Sequence, residues 1–194
     1  MSTYYKTPPE SIKNSHLVIN SISNEIIYPW ENISILENLL KHSSELEKSN
    51  ILKDWEIIKW IWWGSCLASS IIYRTLLNAW VNIKSKKSHN IYYENIYWPS
   101  EIWLDSTIYE DEKYFVDLLF ENNYNSPIIL IPEFNNSRIT LKVYAKNKDF
   151  SSKLTPINTT DISNITWKYE VFDKNNTLIK EEEIISKYDK IDSF

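Results

Sequence analysis

Gly64 is the only glycine among 194 residues, and this scarcity constrains the fold more than any other feature of the chain. Glycine is the residue that enters left-handed backbone without a steric cost. A chain without it must turn on Asn, Asp and Ser, which tolerate such backbone next best. The clusters Glu121-Asn122-Asn123-Tyr124-Asn125, Asn135-Asn136-Ser137 and Asp173-Lys174-Asn175-Asn176 are read as those turns. The same scarcity excludes glycine-rich phosphate cradles, both the P-loop and GxGxxG.

Hydrophobic residues make up 43 % of the chain and charged residues 24 %, the balance of a globular protein. The chain is long enough for a single domain with a sizeable core. We place that domain at residues 15–186, with a flexible tail at 1–14 and another at 187–194. A short apolar run from His16 to Ile27 reads as a strand. Ser34-Ile35-Leu36-Glu37 is a capping box opening a helix to about Lys48. From Leu52 to Lys84, Trp55, Ile58, Trp62, Cys66, Ser69, Tyr73 and Trp80 recur at intervals of three and four, which predicts one long, mostly buried, Trp-rich helix. Thr107 to Glu110 is a second capping box, predicting a helix to about Asn122.

Beyond Pro127 the period changes to two. Ile139, Leu141, Val143 and Ala145 alternate with polar or amphipathic neighbours, as do Trp167, Tyr169 and Val171. Asp173 to Asn176 is a hairpin turn, with the chain returning over Thr177 to Ile185. The fold class expected is therefore α+β, with a helical part at about 30–122 and an antiparallel β part at about 127–186.

The charge-free stretch from Trp60 to Tyr73 is shorter than the roughly 20 residues that span a bilayer, so membrane association is not expected. No signal-peptide core is visible near the N-terminus, and a cytoplasmic location is the expectation. Net charge is -5 and the only arginines are Arg74 and Arg138, which argues against a nucleic-acid partner.

Few residues offer chemistry by local pattern. Cys66 lies in an apolar run and reads as a small buried thiol rather than a nucleophile. Gly64-Ser65-Cys66 reads as mid-helix and lacks the second glycine of a nucleophile elbow. His16, His42 and His89 fall in different elements without ligand spacing, so no metal or cofactor is expected. Glu101, Asp105, Glu110, Asp111 and Glu112 read as charge near a helix start. Asp173-x-Asn175-x-Thr177 begins like a calcium loop but fails at Leu178 and Ile184.

What remains is aromatic. Trp60, Trp62 and Trp63 cannot share one helix face, since Trp60 and Trp62 would point about 200° apart. With Trp98, Trp103 and a buried-helix arginine, Arg74, they are the candidate partner-binding residues. The expected function is a non-enzymatic interaction module, a small cytosolic subunit or adaptor that binds protein partners or its own copies. Two alternatives are an inhibitor capping a basic partner, and an enzyme or small-ligand binder with a Trp-lined pocket anchored by Arg74.

Overall fold

The computed structural model describes residues 2–3, 9–53, 56–60, 62, 64–90, 104–135, 138–147 and 150–189. In chain order its elements are β1 (Ser2–Thr3), α1 (Pro9–Asn20), β2 (Ile26–Ile27), β3 (Asn32–Ser34), α2 (Ile35–Leu40), β4 (Ser49–Lys53), β5 (Glu56–Trp60), α3 (Ser65–Asn78) and β6 (Asn82–Ser85). There follow β7 (Tyr109–Glu110), β8 (Phe115–Val116), β9 (Leu119–Glu121), β10 (Ile128–Asn135), β11 (Arg138–Ala145), β12 (Phe150–Asn158), β13 (Ile165–Asp173) and β14 (Leu178–Ser186). The class is α+β, and every strand pair among the described residues is antiparallel.

Three sheets surround α3. One runs β1-β11-β10-β2, a second β3-β9-β6, and a third is the meander β12-β13-β14. β4 pairs with β5, and β7 with β8, as separate hairpins. The period-two reading of the C-terminal half holds in detail. Ile139 and Leu141 of β11 face the core, as do Ile165, Trp167, Tyr169 and Val171 of β13. The turn at Asp173 forms as read, its Oδ1 accepting from the N–H groups of Asn175 and Thr177 at 2.8 Å. The core joins these faces to Val18 and Ile19 of α1, Leu36 and Leu39 of α2, and Ile72 and Leu76 of α3.

The helical readings need correction. The long helix expected over 52–84 is a hairpin, β4–β5, followed by the shorter α3 and then β6. Short apolar runs do not distinguish helix from strand by period, and the Ile and Trp content of 57–60 suits a pleated, half-buried surface. The strand expected over 16–27 is the end of α1, a turn and the two-residue β2: α1 starts at Pro9, inside the supposed tail, with Pro at the first helical position where its missing N–H costs nothing.

The capping box at Ser34 is real, since its Oγ accepts from Glu37 N–H at 2.9 Å, but α2 ends at Leu40. The capping box at Thr107 opens no helix. Thr107 N–H donates to Lys87 O at 2.8 Å, and Asp111 Oδ1 accepts from Lys113 and Tyr114 N–H to turn β7 into β8. Asp117 then caps α2 from a distance, accepting Leu36 N–H at 2.8 Å. Strands therefore run through 30–122 as well as beyond 127. At the other end the supposed loose tail is anchored through Asp189, with Tyr188 only 5 % exposed.

Asn122 stands where the second sheet meets the first. Its Nδ2 donates to Ile27 O at 2.9 Å and Ser126 O at 3.1 Å, and its Oδ1 accepts from Tyr124 N–H at 3.0 Å. The residue is fully buried, so Asn122→Ala strands backbone polar groups away from water. The expected loss is about 3 kcal/mol of unfolding free energy, read by urea denaturation. A loss below about 0.5 kcal/mol would contradict this role.

Candidate active site

α3 begins at the one glycine. Gly64 has φ 93° and ψ -29°, and it precedes the first helical residue, Ser65. A Cβ at this position would lie 2.1 Å from Ser11 O in α1. Glycine is thus required twice, for its backbone angle and for the contact between helices. Ser15 Oγ, 2.8 Å from both Ser11 O and Gly64 O, fastens the same junction. Trp62 braces the approach: its carbonyl accepts Ser65 N–H at 3.0 Å and its indole N–H donates to Glu110 O at 3.1 Å.

Cys66 is therefore in the first turn of α3, not in mid-helix. It is partly exposed rather than sealed in apolar core. Its Sγ lies 3.1 Å from Thr107 Oγ1 and 3.7 Å from Ile108 O, and His89 is near enough to act on the thiol electrostatically. First-turn N–H groups have no partner within the helix, and the dipole there favours negative charge.

The face of α3 that carries Cys66 also carries Ser69 and Ser70, three and four residues on. Ser69 Oγ donates to Ser106 Oγ at 2.9 Å, and Ser70 Oγ accepts Ser106 N–H at 3.0 Å. Ser70 also closes onto Cys66 O at 2.8 Å. These small hydroxyls hold residues 105–108 against the helix and so fix Asp105 near its start.

Asp105 is 1 % exposed and joins the remaining parts. Its Oδ2 accepts from His89 N–H at 2.8 Å and lies 2.6 Å from His89 Nδ1. Its Oδ1 accepts from the Tyr188 hydroxyl. Nδ1 of His89 is thereby committed to Asp105, and the charged ring acts on the Cys66 thiol. The constellation is a thiol, an imidazole and a carboxylate in series, on the start of a helix and two adjoining segments.

The electrostatics follow from this chain of contacts. Burial alone would hold the Cys66 thiol protonated, but the His89 hydrogen bond and charge, with Thr107 and Ile108, bring it below its ordinary value. Burial alone would also discharge His89, but the hydrogen bond to Asp105 and the Cys66 thiolate push it above its ordinary value. Burial opposes ionisation of Asp105 as well, and His89 and Tyr188 overcome it. Each group thus favours the charged form of the other, the thiol drawn down and the imidazole drawn up.

Of the residues singled out for partner binding, the structure brings only part together. Trp62 is 6 % exposed and supports the site from beneath rather than presenting a surface. Arg74 is half-buried on α3, with Nε donating to Ser70 O at 3.2 Å, one turn beyond the serines that hold Ser106. Trp60 contributes backbone to β5. The side chains of Trp60 and Trp63, with Trp98 and Trp103, lie outside the described residues.

Cys66, His89 and Asp105 were not legible as a set, because they are separated in the chain and belong to no local motif. One signal was present: a chain with a single glycine keeps it two residues before its single cysteine.

No curated protein and no solved structure matches the chain. The sequence pattern of one family, described as VanW like protein, matches residues 10–144. That span runs from α1 into β11 and includes Cys66, His89 and Asp105, whereas β12, β13, β14 and Tyr188 fall outside it. Since the match covers well over half of the 194 residues, the chain belongs to the family of VanW like proteins.

Proposed function

We propose that the protein is a cysteine-dependent acyl-transfer enzyme, with Cys66 as nucleophile, His89 as acid and base, and Asp105 as the group that orients and charges His89. The observation that carries this reading is the largely buried His89–Asp105 pair, Nδ1 to Oδ2 at 2.6 Å, beside a cysteine whose thiol it draws below its ordinary value. The place of Cys66 in the first turn of α3 supports it, since the helix dipole there favours the negative charge of a thiolate.

The chemistry balances with these groups alone. The Cys66 thiolate attacks the carbonyl carbon of an amide or ester, forming the Sγ–C bond. The bond to the leaving amine or alcohol breaks, and the leaving group takes the proton of the His89 imidazolium. A thioester remains on Cys66. Neutral His89 then takes a proton from an incoming water or amine, whose attack breaks the C–S bond and restores thiolate and imidazolium. Hydrolysis and transfer differ only in that second nucleophile.

The test is alkylation of Cys66 by iodoacetamide as a function of pH, followed by mass spectrometry. A thiolate is present above the folded pKa of the thiol, and that pKa is lowered, so labelling should set in well below the ordinary thiol value of 9.0. His89→Ala removes the stabilising cation and should move the onset back toward, or beyond, that ordinary value. At pH 6 the variant should label at least about tenfold more slowly, since each pH unit of onset is a factor of about ten in thiolate. An ordinary thiol profile in the parent protein, unaffected by His89→Ala, would remove the reading. A screen of activated esters and thioesters for a covalent mass addition at Cys66 then finds the acyl donor.

A further inference from the structure

We infer that the end of the C-terminal meander, Ser186 to Asp189, is a working part of this centre, and that Tyr188 is a positioning residue that holds the Asp105 carboxylate against His89. The inference rests on the acyl-transfer reading above and adds to it a part of the chain that lies beyond the family match at 10–144.

Four contacts carry it. The Tyr188 hydroxyl donates to Asp105 Oδ1, the oxygen that His89 does not use. Ser186 Oγ lies 3.2 Å from Ser88 Oγ, next to His89 in the chain. Asp189 N–H donates to Asn90 O at 2.6 Å, on the other side of His89. Tyr188 N–H donates to Ile162 O at 3.0 Å, which ties the segment to the turn before β13. Ser186, Tyr188 and Asp189 thus grip the histidine's segment on both flanks and the carboxylate in between.

A carboxylate bound through one oxygen can rotate about its Cβ–Cγ bond. One bound through both, by donors on opposite sides, keeps a single orientation. Tyr188 supplies the second restraint, and its hydroxyl proton also favours the ionised carboxyl. The position is built for this: Tyr188 and Asp105 are 5 % and 1 % exposed, so water does not compete for the bond. Without the hydroxyl, Asp105 is a weaker partner for the imidazolium, and the thiolate loses part of its counter-charge.

The test is Tyr188→Phe in the full chain, which keeps the ring and removes one oxygen. Iodoacetamide alkylation of Cys66 across pH is measured beside thermal unfolding. The onset of labelling should shift upward, with labelling at pH 6 slower by about threefold to tenfold. A purely structural tyrosine would lower the unfolding temperature and leave the onset where it was, and that result overturns the proposal. If Tyr188→Phe does not fold, Ser186→Ala, which cuts the same grip at Ser88, decides in its place: an unshifted onset there also overturns it. Failure of the underlying reading looks different, since the parent protein itself would then show an ordinary thiol profile.

Discussion

Gly64→Ala will yield a protein that does not fold at ordinary temperature. Two costs add. The backbone at φ 93°, ψ -29° lies off the small left-handed well open to residues with a side chain, which sits near ψ +47°. Asparagine, the usual substitute, does not rescue such a position. The added methyl would also lie 2.1 Å from a backbone oxygen of α1, and backbone cannot swing aside as a side chain would. α1 would have to retreat from α3, breaking the Ser15 contacts and opening the core around Val18 and Ile19. The expected loss is more than about 4 kcal/mol, a large share of the roughly 5–15 kcal/mol by which domains are stable. Circular dichroism with thermal melting checks this directly. A melting point within a few degrees of the parent protein would show that α1 and α3 do not meet as described.

Asp105→Asn should leave a folded protein with a disabled thiol. Asparagine is nearly isosteric and can still accept one hydrogen bond. It carries no charge, however, and its amide must face either His89 or Tyr188 with a donor where an acceptor is required. His89 then loses both the counter-charge for its imidazolium and the bond that sets its tautomer. The equivalent change in a serine triad lowers turnover about ten-thousandfold. Here the resting ion pair itself depends on the carboxylate, so thioester formation with p-nitrophenyl acetate at pH 6 should fall by at least about a hundredfold. The sign across pH is definite. Weakening the pair raises the thiol's pKa and lowers the histidine's, so the window in which thiolate and imidazolium coexist narrows from both sides. Burst amplitudes measured from pH 5 to 10 would show that narrowing. An unchanged burst would mean that Asp105 does not govern His89.

What the sequence revealed follows the range of the forces involved. Alternation in β11 and β13 is written by which side chains meet the core, and such patterns read correctly from one segment at a time. The turn at Asp173 and the cap at Ser34 involve residues two to four apart, and they too were legible. The failures share a cause. Thr107 and Asp111 carry the marks of helix-start chemistry, but their partners are Lys87, Cys66 and Tyr114, contacts that tertiary structure supplies. In the same way Asp105 looked like one more acid in an acidic run, while its role comes from His89 and Tyr188. Cys66 looked buried because its neighbours in sequence are apolar, although its neighbours in space are hydroxyls and an imidazole.

Trp62 shows a subtler case. A dense group of indoles near the start of a helix suggested a surface for another molecule. The described member of that group instead packs inward and ties the entry of α3 to β7 through Glu110. A large, stiff side chain tied in this way serves precision as well as burial, because the start of α3 cannot shift without moving the ring.

The backbone of this chain also separates two kinds of constraint that are usually confounded. Asn24, Trp30, Trp80 and Asn176 all hold positive φ without being glycine. Each such residue carries a conformational penalty of roughly 1–2 kcal/mol, and the fold absorbs it. At residue 64 the obstacle is atomic overlap, which has no small value to absorb. A side chain can be strained into the first kind of site but cannot be fitted into the second, so residue 64 must be glycine while the other four need not be.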